Sequence, residues 1–159
     1  MADVKPVPDD RPTVIPYLTV EGAAEALDFY VSALGAVERA RIPGPGGKVM
    51  HAEVAFGNAC VMVSDAFPEW GSNGPKAIGG TPVTISVYVE DVDATIARAA
   101  EAGAKVISPP ENQFWGDRSG TIEDPFGHHW HIGTHIEDVP LDELERRAAA
   151  MREGFEGGG

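Results

Sequence analysis

One pattern of a strand, a helix and three further strands occurs twice along this chain. A strand at residues 13–20 precedes a helix at 22–34, and a strand at 83–89 precedes a helix at 91–102. Apolar positions recur at helical spacing in both helices and alternate in the strands that follow them. The sequence therefore predicts two βαβββ modules.

The alignment of the two halves sets the expected fold class. Val20-Glu21 aligns with Val89-Glu90, and Leu27 aligns with Ile96. One such unit leaves a face of its curved sheet uncovered, which a second unit can help to enclose. We predict an α+β fold in which two paired βαβββ modules form a half-open curved sheet barrel with a central cleft, plus a C-terminal helix. The expected parts are a flexible N-terminal tail (1–12), a first module (13–65), a linker (66–80), a second module (81–135), and a C-terminal helix with a frayed tail (136–159).

The balance of charge limits the classes of partner. The formal net charge is −13, so nucleic acids and membrane surfaces, which are both anionic, are not expected partners. The longest apolar runs, such as 59–63, are too short to span a bilayer, and residues 1–12 lack the apolar core of a signal peptide. We expect a cytoplasmic protein whose partner is a small molecule.

Four of the five histidines lie within residues 128–135, directly after the turn at 124–127. Strand alternation puts His129, His131, Gly133 and His135 on one face. His131 should then point into the cleft, where it could bind a metal or move a proton, whereas His128 and His135 should lie at the surface. The alternative is a histidine that is hydrogen-bonded only to backbone or water.

A second polar pair lies in the first module. His51 and Glu53 are two residues apart and share one face of a strand. Together with His131 across the cleft they could form a set of two histidines and one carboxylate, which suits an open metal site. The alternative is a polar, solvated strand face.

Three further residues are candidates for contacts with a ligand. Tyr17 and Trp115 could line an apolar pocket, although sparse aromatic residues also fill cores. Arg118 could hold an anionic group through two parallel hydrogen bonds. Asp117 could pair with Arg118 instead, and the sequence does not decide between these two roles.

Two stretches of the chain resemble the vicinal oxygen chelate superfamily, which includes glyoxalases, bleomycin-resistance proteins and extradiol dioxygenases. The first stretch runs from Ile15-Pro16-Tyr17-Leu18-Thr19-Val20 to Leu34-Gly35-Ala36. The second runs from Val87-Tyr88-Val89-Glu90-Asp91 to Asp124-Pro125-Phe126-Gly127-His128. The nearest branch resembles glyoxalase-like proteins associated with phosphonate operons, on Met50-His51-Ala52-Glu53 and Gly116-Asp117-Arg118.

The resemblance implies a homodimer and a divalent metal bound by residues at four strand positions. Those positions fall on Ile15, on Val61 or Met62, on Thr84 and on His131. Only His131 is a good ligand, and a stable divalent site needs about three or four. The resemblance therefore implies a degenerate standard metal site.

Two functions from different classes follow, and the sequence leaves open whether the chain is an enzyme. The first is a glyoxalase/bleomycin-resistance-type protein that acts on or binds a small organic molecule in the cleft. The second is a metal-dependent lyase, isomerase or dioxygenase that uses a non-standard site around His131, His51 and Glu53. In the second, His131 would be a metal ligand or base and Glu53 its carboxylate partner.

Overall fold

A computed structural model describes residues 3–158 of the chain. The strands and helices come in the order expected of two modules followed by a helix. The strands are β1 (Tyr17–Val20), β2 (Val37–Pro43), β3 (Val49–Phe56), β4 (Ala59–Asp65), β5 (Thr84–Tyr88), β6 (Lys105–Asn112), β7 (Asp117–Glu123) and β8 (His129–His135). The helices are α1 (Ala23–Ser32), α2 (Pro75–Ile78), α3 (Val92–Glu101) and α4 (Leu141–Glu156).

Each module forms one four-stranded mixed sheet. Sheet 1 has the order β1-β4-β3-β2, and sheet 2 has the equivalent order β5-β8-β7-β6. In each sheet the first strand pairs in parallel with the last strand of its module, and the other pairs are antiparallel. The repeat that was predicted from sequence is thus a repeat of topology.

Prolines change two strand boundaries from those expected. β1 begins at Tyr17 rather than at residue 13, directly after Pro16. Two consecutive prolines usually end a strand, but β6 continues through Pro109 and Pro110. β6 is an edge strand with irregular pairing between Val106 and Glu111, and edge or bulged positions tolerate proline because no ladder bond is required there.

One helix covers one face of each sheet. α1 buries Leu27 and Tyr30 completely, and α3 buries Ala99 completely and Ile96 almost completely. Fully burying an aliphatic side chain of this size contributes about 1.5–3 kcal/mol. These residues belong to one continuous apolar core, which includes Trp130 of β8. The face of each sheet that contributes to this core is covered by a helix, so the opposite face is the one that stays uncovered.

Asp124 joins the two modules inside this core. Its Oδ2 accepts hydrogen bonds from Tyr30 Oη at 2.7 Å and from Trp130 Nε1 at 2.9 Å. Its Oδ1 accepts from the backbone nitrogens of Phe126 and His128. Burial and then the adjacent negative charge raise the pKa of Tyr30 well above its ordinary value, so this hydroxyl stays protonated and remains a donor.

The observed architecture confirms the predicted α+β fold with paired modules and a C-terminal helix. The two sheets remain open and are not closed into a barrel. Neither β1 nor β5 pairs with a strand of the other sheet. Within residues 3–158, α1 packs on one face of sheet 1 and α3 on one face of sheet 2, and we call the opposite face of each sheet its open face. No helix within residues 3–158 is long and apolar enough to span a membrane.

Candidate functional site

The open face of sheet 2 is polar. Cross-strand register places Ser86, His131 and Thr121 in one row, and Tyr88, Gly133 and Ser119 in the next. The side chains between them, Trp130 and Ile132, are fully buried on the opposite face. The alternation predicted for the histidine run is therefore present in β8, and it directs His131 away from α3.

His131 is partly buried in the middle of this face. Its Nδ1 lies 3.3 Å from Thr121 Oγ1, and its direct neighbour on β5 is Ser86. The hydroxyl of Thr121 either donates to the imidazole or accepts from it, depending on the tautomer. No hydrogen bond within residues 3–158 engages Nε2, so this nitrogen can bind a ligand.

Asp117 organises the end of the same face. It is 7% exposed and accepts hydrogen bonds from Tyr88 Oη at 2.8 Å and Trp115 Nε1 at 3.1 Å. His135 Nδ1 lies 2.8 Å from its other oxygen, and His135 Nε2 lies 2.8 Å from Asp138. Burial acts to raise the pKa of Asp117, but the hydrogen bonds from His135, Tyr88 and Trp115 outweigh it and the pKa is lowered.

We expect the stability contributed by His135 to depend on pH. Hydrogen bonds to Asp138 and then to Asp117 raise the pKa of His135 above 6.5, because only a doubly protonated ring donates to both carboxylates. The stability that His135 contributes is complete at a pH below the pKa of His135 in the unfolded chain. It is lost as the pH rises through the higher pKa of His135 in the folded protein.

Thermal melts of the wild type and of His135→Gln from pH 5.5 to pH 9 measure this effect. The difference in melting temperature should be largest at the acidic end and shrink as pH rises. A difference that stays constant across the range would contradict the assignment of a protonated ring.

Ser119 carries the one buried side-chain polar atom without a hydrogen-bond partner within residues 3–158. The residue is 1% exposed and lies between Asp117 and Thr121 on the open face of sheet 2. A Cβ built on neighbouring Gly133 would lie 3.7 Å from Ser119 Cβ and 3.8 Å from the ring of Tyr88. An unsatisfied buried hydroxyl costs about 1–3 kcal/mol, so this face contains one polar atom whose hydrogen bond is not made.

Sheet 1 has a polar cluster on its open face as well. Tyr17 Oη lies 2.7 Å from His51 Nδ1, and His51 Nε2 lies 3.6 Å from Glu53 Oε1. Arg11 donates to the same carboxylate at 3.0 Å, which brings the N-terminal segment against this sheet. Burial and then the negative charge of Glu53 raise the pKa of Tyr17, so Tyr17 is a neutral donor.

The predicted metal set is not assembled within one chain. His51 and Glu53 lie on sheet 1 and His131 on sheet 2, and no group of three His, Cys, Asp or Glu residues within 3–158 could hold a metal ion. The residue on β4 that corresponds to His131 is Met62, which pairs with Tyr17 on β1 and Glu53 on β3.

Two residues differ from their expected positions. Arg118 lies on the opposite face of β7 from His131, and its guanidinium binds Asp93 of α3 at 2.7 and 2.9 Å. It therefore neither pairs with Asp117 nor reaches the open face. His128, expected at the surface, is partly buried, and its Nε2 lies 2.9 Å from the backbone oxygen of Thr19. Trp115 donates from Nε1 to Asp117, and its expected contact with a ligand stays a prediction.

The chain is similar to known proteins over most of its length. Residues 13–132 match the family model described as Glyoxalase/Bleomycin resistance protein/Dioxygenase superfamily. The uncharacterized protein Rv0887c of Mycobacterium tuberculosis is 45% identical over 147 residues, which cover 91% of this chain and 86% of that protein. The crystal structure of PA1353 from Pseudomonas aeruginosa is 28% identical with a TM-score of 0.62, and the match covers 78% of this chain and 98% of that one. TnmS3, an antibiotic binding protein from Streptomyces sp. CB03234, is 26% identical with a TM-score of 0.55, covering 77% and 95%.

Proposed function

The chain belongs to the Glyoxalase/Bleomycin resistance protein/Dioxygenase superfamily, and we propose that it binds a small, planar organic molecule against the open face of sheet 2. The observation that carries this proposal is the Nε2 of partly buried His131, which no hydrogen bond within residues 3–158 engages and which lies on the same face as Ser119 and Tyr88. Polar side chains on a sheet face that lie next to aromatic side chains suit a ligand with a ring system that carries hydroxyl or amino groups.

The charge of this surface favours a neutral or cationic ligand. Asp117 keeps a lowered pKa and Glu123 borders the same face beside His129. Across the chain, 25 acidic residues outnumber 12 basic ones. A cation that approaches the open face is therefore attracted over a distance of about one Debye length, roughly 8–10 Å at ordinary ionic strength.

The proposed site does not depend on the standard metal. Of the four positions at which the superfamily implies ligands, Ile15, Met62 and Thr84 offer no good donor for a divalent cation. The similarity to a structure described as an antibiotic binding protein supports binding as the function of this chain. Turnover of the bound molecule is not needed in this proposal.

We further propose that a second copy of the chain completes the site. The exposed fractions of Tyr17 on sheet 1 and Tyr88 on sheet 2 are 52% and 66%, which is high for aromatic side chains on sheet faces. In a two-fold dimer, sheet 1 of one copy would cover sheet 2 of the other, and Tyr17, His51 and Glu53 would face His131. Cytoplasmic location and the phosphonate-operon branch stay predictions.

A fluorescence titration tests the proposed ligand class. Proflavine, a planar cation, and 1-anilinonaphthalene-8-sulfonate, a planar anion, are added separately to untagged protein held in a chelator. We expect saturable binding of proflavine that quenches Trp115 and is at least about tenfold tighter than binding of the anion, a difference of about 1.4 kcal/mol.

Metal analysis of the untagged protein before chelation separates binding from metal chemistry. Retained proflavine binding after the metal content falls below one ion per ten chains would support the proposal. Binding that requires a stoichiometric divalent ion, and that disappears with it, would instead support the metal-dependent alternative.

A further inference from the structure

The space beside α1 is filled by an aromatic side chain from the other module. Phe126 belongs to the turn between β7 and β8, and its ring centroid lies 6.4 Å from those of Phe29 and Tyr30. A Cβ built on Gly22 would lie 3.9 Å from Phe126 Cε1. Module 2 thus inserts a phenyl ring against the surface of α1 that carries Gly22, Phe29 and Tyr30.

The equivalent surface of α3 is left open. A groove of about 1010 Å³ runs along the seam between the modules, and Asp91, Thr95 and Arg98 of the α3 region line it. In the alignment of Val20-Glu21 with Val89-Glu90, these residues correspond to Gly22, Ala26 and Phe29. The groove is therefore the module-2 counterpart of the space that Phe126 occupies.

The space beside α1 is filled and the space beside α3 is open because two turns differ in length. β7 and β8 are joined by residues 124–128, which carry Phe126, whereas β3 and β4 are joined only by Gly57 and Asn58. Gly57 has no side chain, and Asn58 is not among the residues that line the groove. A Cβ built on Gly57 or Gly35, both of which line it, would meet no heavy atom within 4 Å.

Apolar and polar residues both line the groove, and one cation, Arg98, lies at its side. Leu34, Phe56 and Val87 line it, and the ring of Phe56 packs against Trp130 at 5.4 Å. Arg98 is exposed, and within residues 3–158 its guanidinium makes one side-chain hydrogen bond, to Thr95 Oγ1 at 3.3 Å, and no ion pair. Arg98 of α3 corresponds to Phe29 of α1. At this position the groove therefore has guanidinium N–H groups that are free to donate hydrogen bonds.

We propose that this groove, which meets the open face of sheet 2 at Tyr88 and His135, is a second binding site and that it takes an aromatic monocarboxylate. The aromatic ring would occupy the position that corresponds to Phe126, between Phe56 and Val87. The carboxylate would accept two hydrogen bonds from Arg98, the geometry that a guanidinium favours. Glu90 and Asp91, both exposed on the same groove, disfavour a second negative charge on the ligand.

Isothermal titration calorimetry with three probes tests this site. 3-Phenylpropionate has both the ring and the carboxylate, phenethylamine lacks the carboxylate, and propionate lacks the ring. We expect one 3-phenylpropionate per chain, and affinities at least about tenfold weaker for each of the other two probes. Failure of 3-phenylpropionate to bind at millimolar concentration would overturn the proposal.

Matched variants locate the binding. Arg98→Gln should weaken 3-phenylpropionate binding about tenfold or more, whereas Arg39→Gln, on the exposed edge strand β2, should leave it unchanged. Both changes are at exposed positions, and circular dichroism checks that the variants are folded. An unchanged affinity in Arg98→Gln, or a loss of binding in His131→Ala instead, would contradict the groove as the site.

Discussion

Asp124→Ala is expected to lower the free energy of unfolding by about 3–5 kcal/mol. The carboxylate accepts four hydrogen bonds, two of them from the buried side chains of Tyr30 and Trp130. Each buried donor that is left unpaired costs about 1–3 kcal/mol. Tyr30 belongs to module 1 and Trp130 to module 2, so the loss should affect both modules in one transition.

Urea unfolding followed by circular dichroism and by tryptophan fluorescence measures this change. Asp124→Asn keeps the shape and one acceptor oxygen but turns an NH₂ group toward donors, so its loss should be smaller than that of Asp124→Ala. Glu101→Ala at the exposed end of α3 is the control and should change stability by no more than about 0.5 kcal/mol. A loss below about 1 kcal/mol in Asp124→Ala would contradict the role given to this carboxylate.

His131→Ala and Glu53→Ala should each weaken proflavine binding by about tenfold or more, although the two residues lie on different sheets. This follows because the proposed site lies between sheet 1 of one copy and sheet 2 of the other. Removing one hydrogen-bonding or charged group from a desolvated site costs about 1.5–3 kcal/mol.

Fluorescence titrations of the two variants measure both losses. Glu38→Ala on edge strand β2, where Glu38 pairs with Arg41, is the control and should bind as the wild type does. Proflavine binding that weakens in His131→Ala but not in Glu53→Ala would place the site on sheet 2 alone and remove the need for a partner.

The fold was predictable because the repeat and the strand alternation are physical constraints that the sequence carries. Trp130 and Ile132 must be buried, so His131 must lie on the other face of β8. Side chains also alternate along β7. Once β7 is paired with β8, this alternation places Asp117, Ser119 and Thr121 on the same face as His131. The pairing of β7 with β8 was not used in the prediction, so the Asp117 cluster and the unpartnered Ser119 were not predicted.

Other features depend on tertiary contacts that no local pattern contains. Arg118 was expected either to bind an anionic ligand or to pair with Asp117, but it binds Asp93 of α3, the helix that packs against β7. His128 follows the alternation correctly, yet the edge of β1 in the other module covers it and its ring reaches Thr19. The arrangement of the two open sheets also depends on contacts between modules, such as the one made by Asp124 with Tyr30.

A mixture of His131→Ala and Glu53→Ala chains tests the composite site most directly. In a mixed dimer one site combines the intact sheet 1 of the first variant with the intact sheet 2 of the second, and the other site carries both changes. After subunit exchange of equal amounts, half of the dimers are mixed, so about a quarter of the wild-type number of tight proflavine sites should return. No recovery of tight binding in a mixture that has been shown to exchange subunits would contradict a ligand site shared between two copies of this chain.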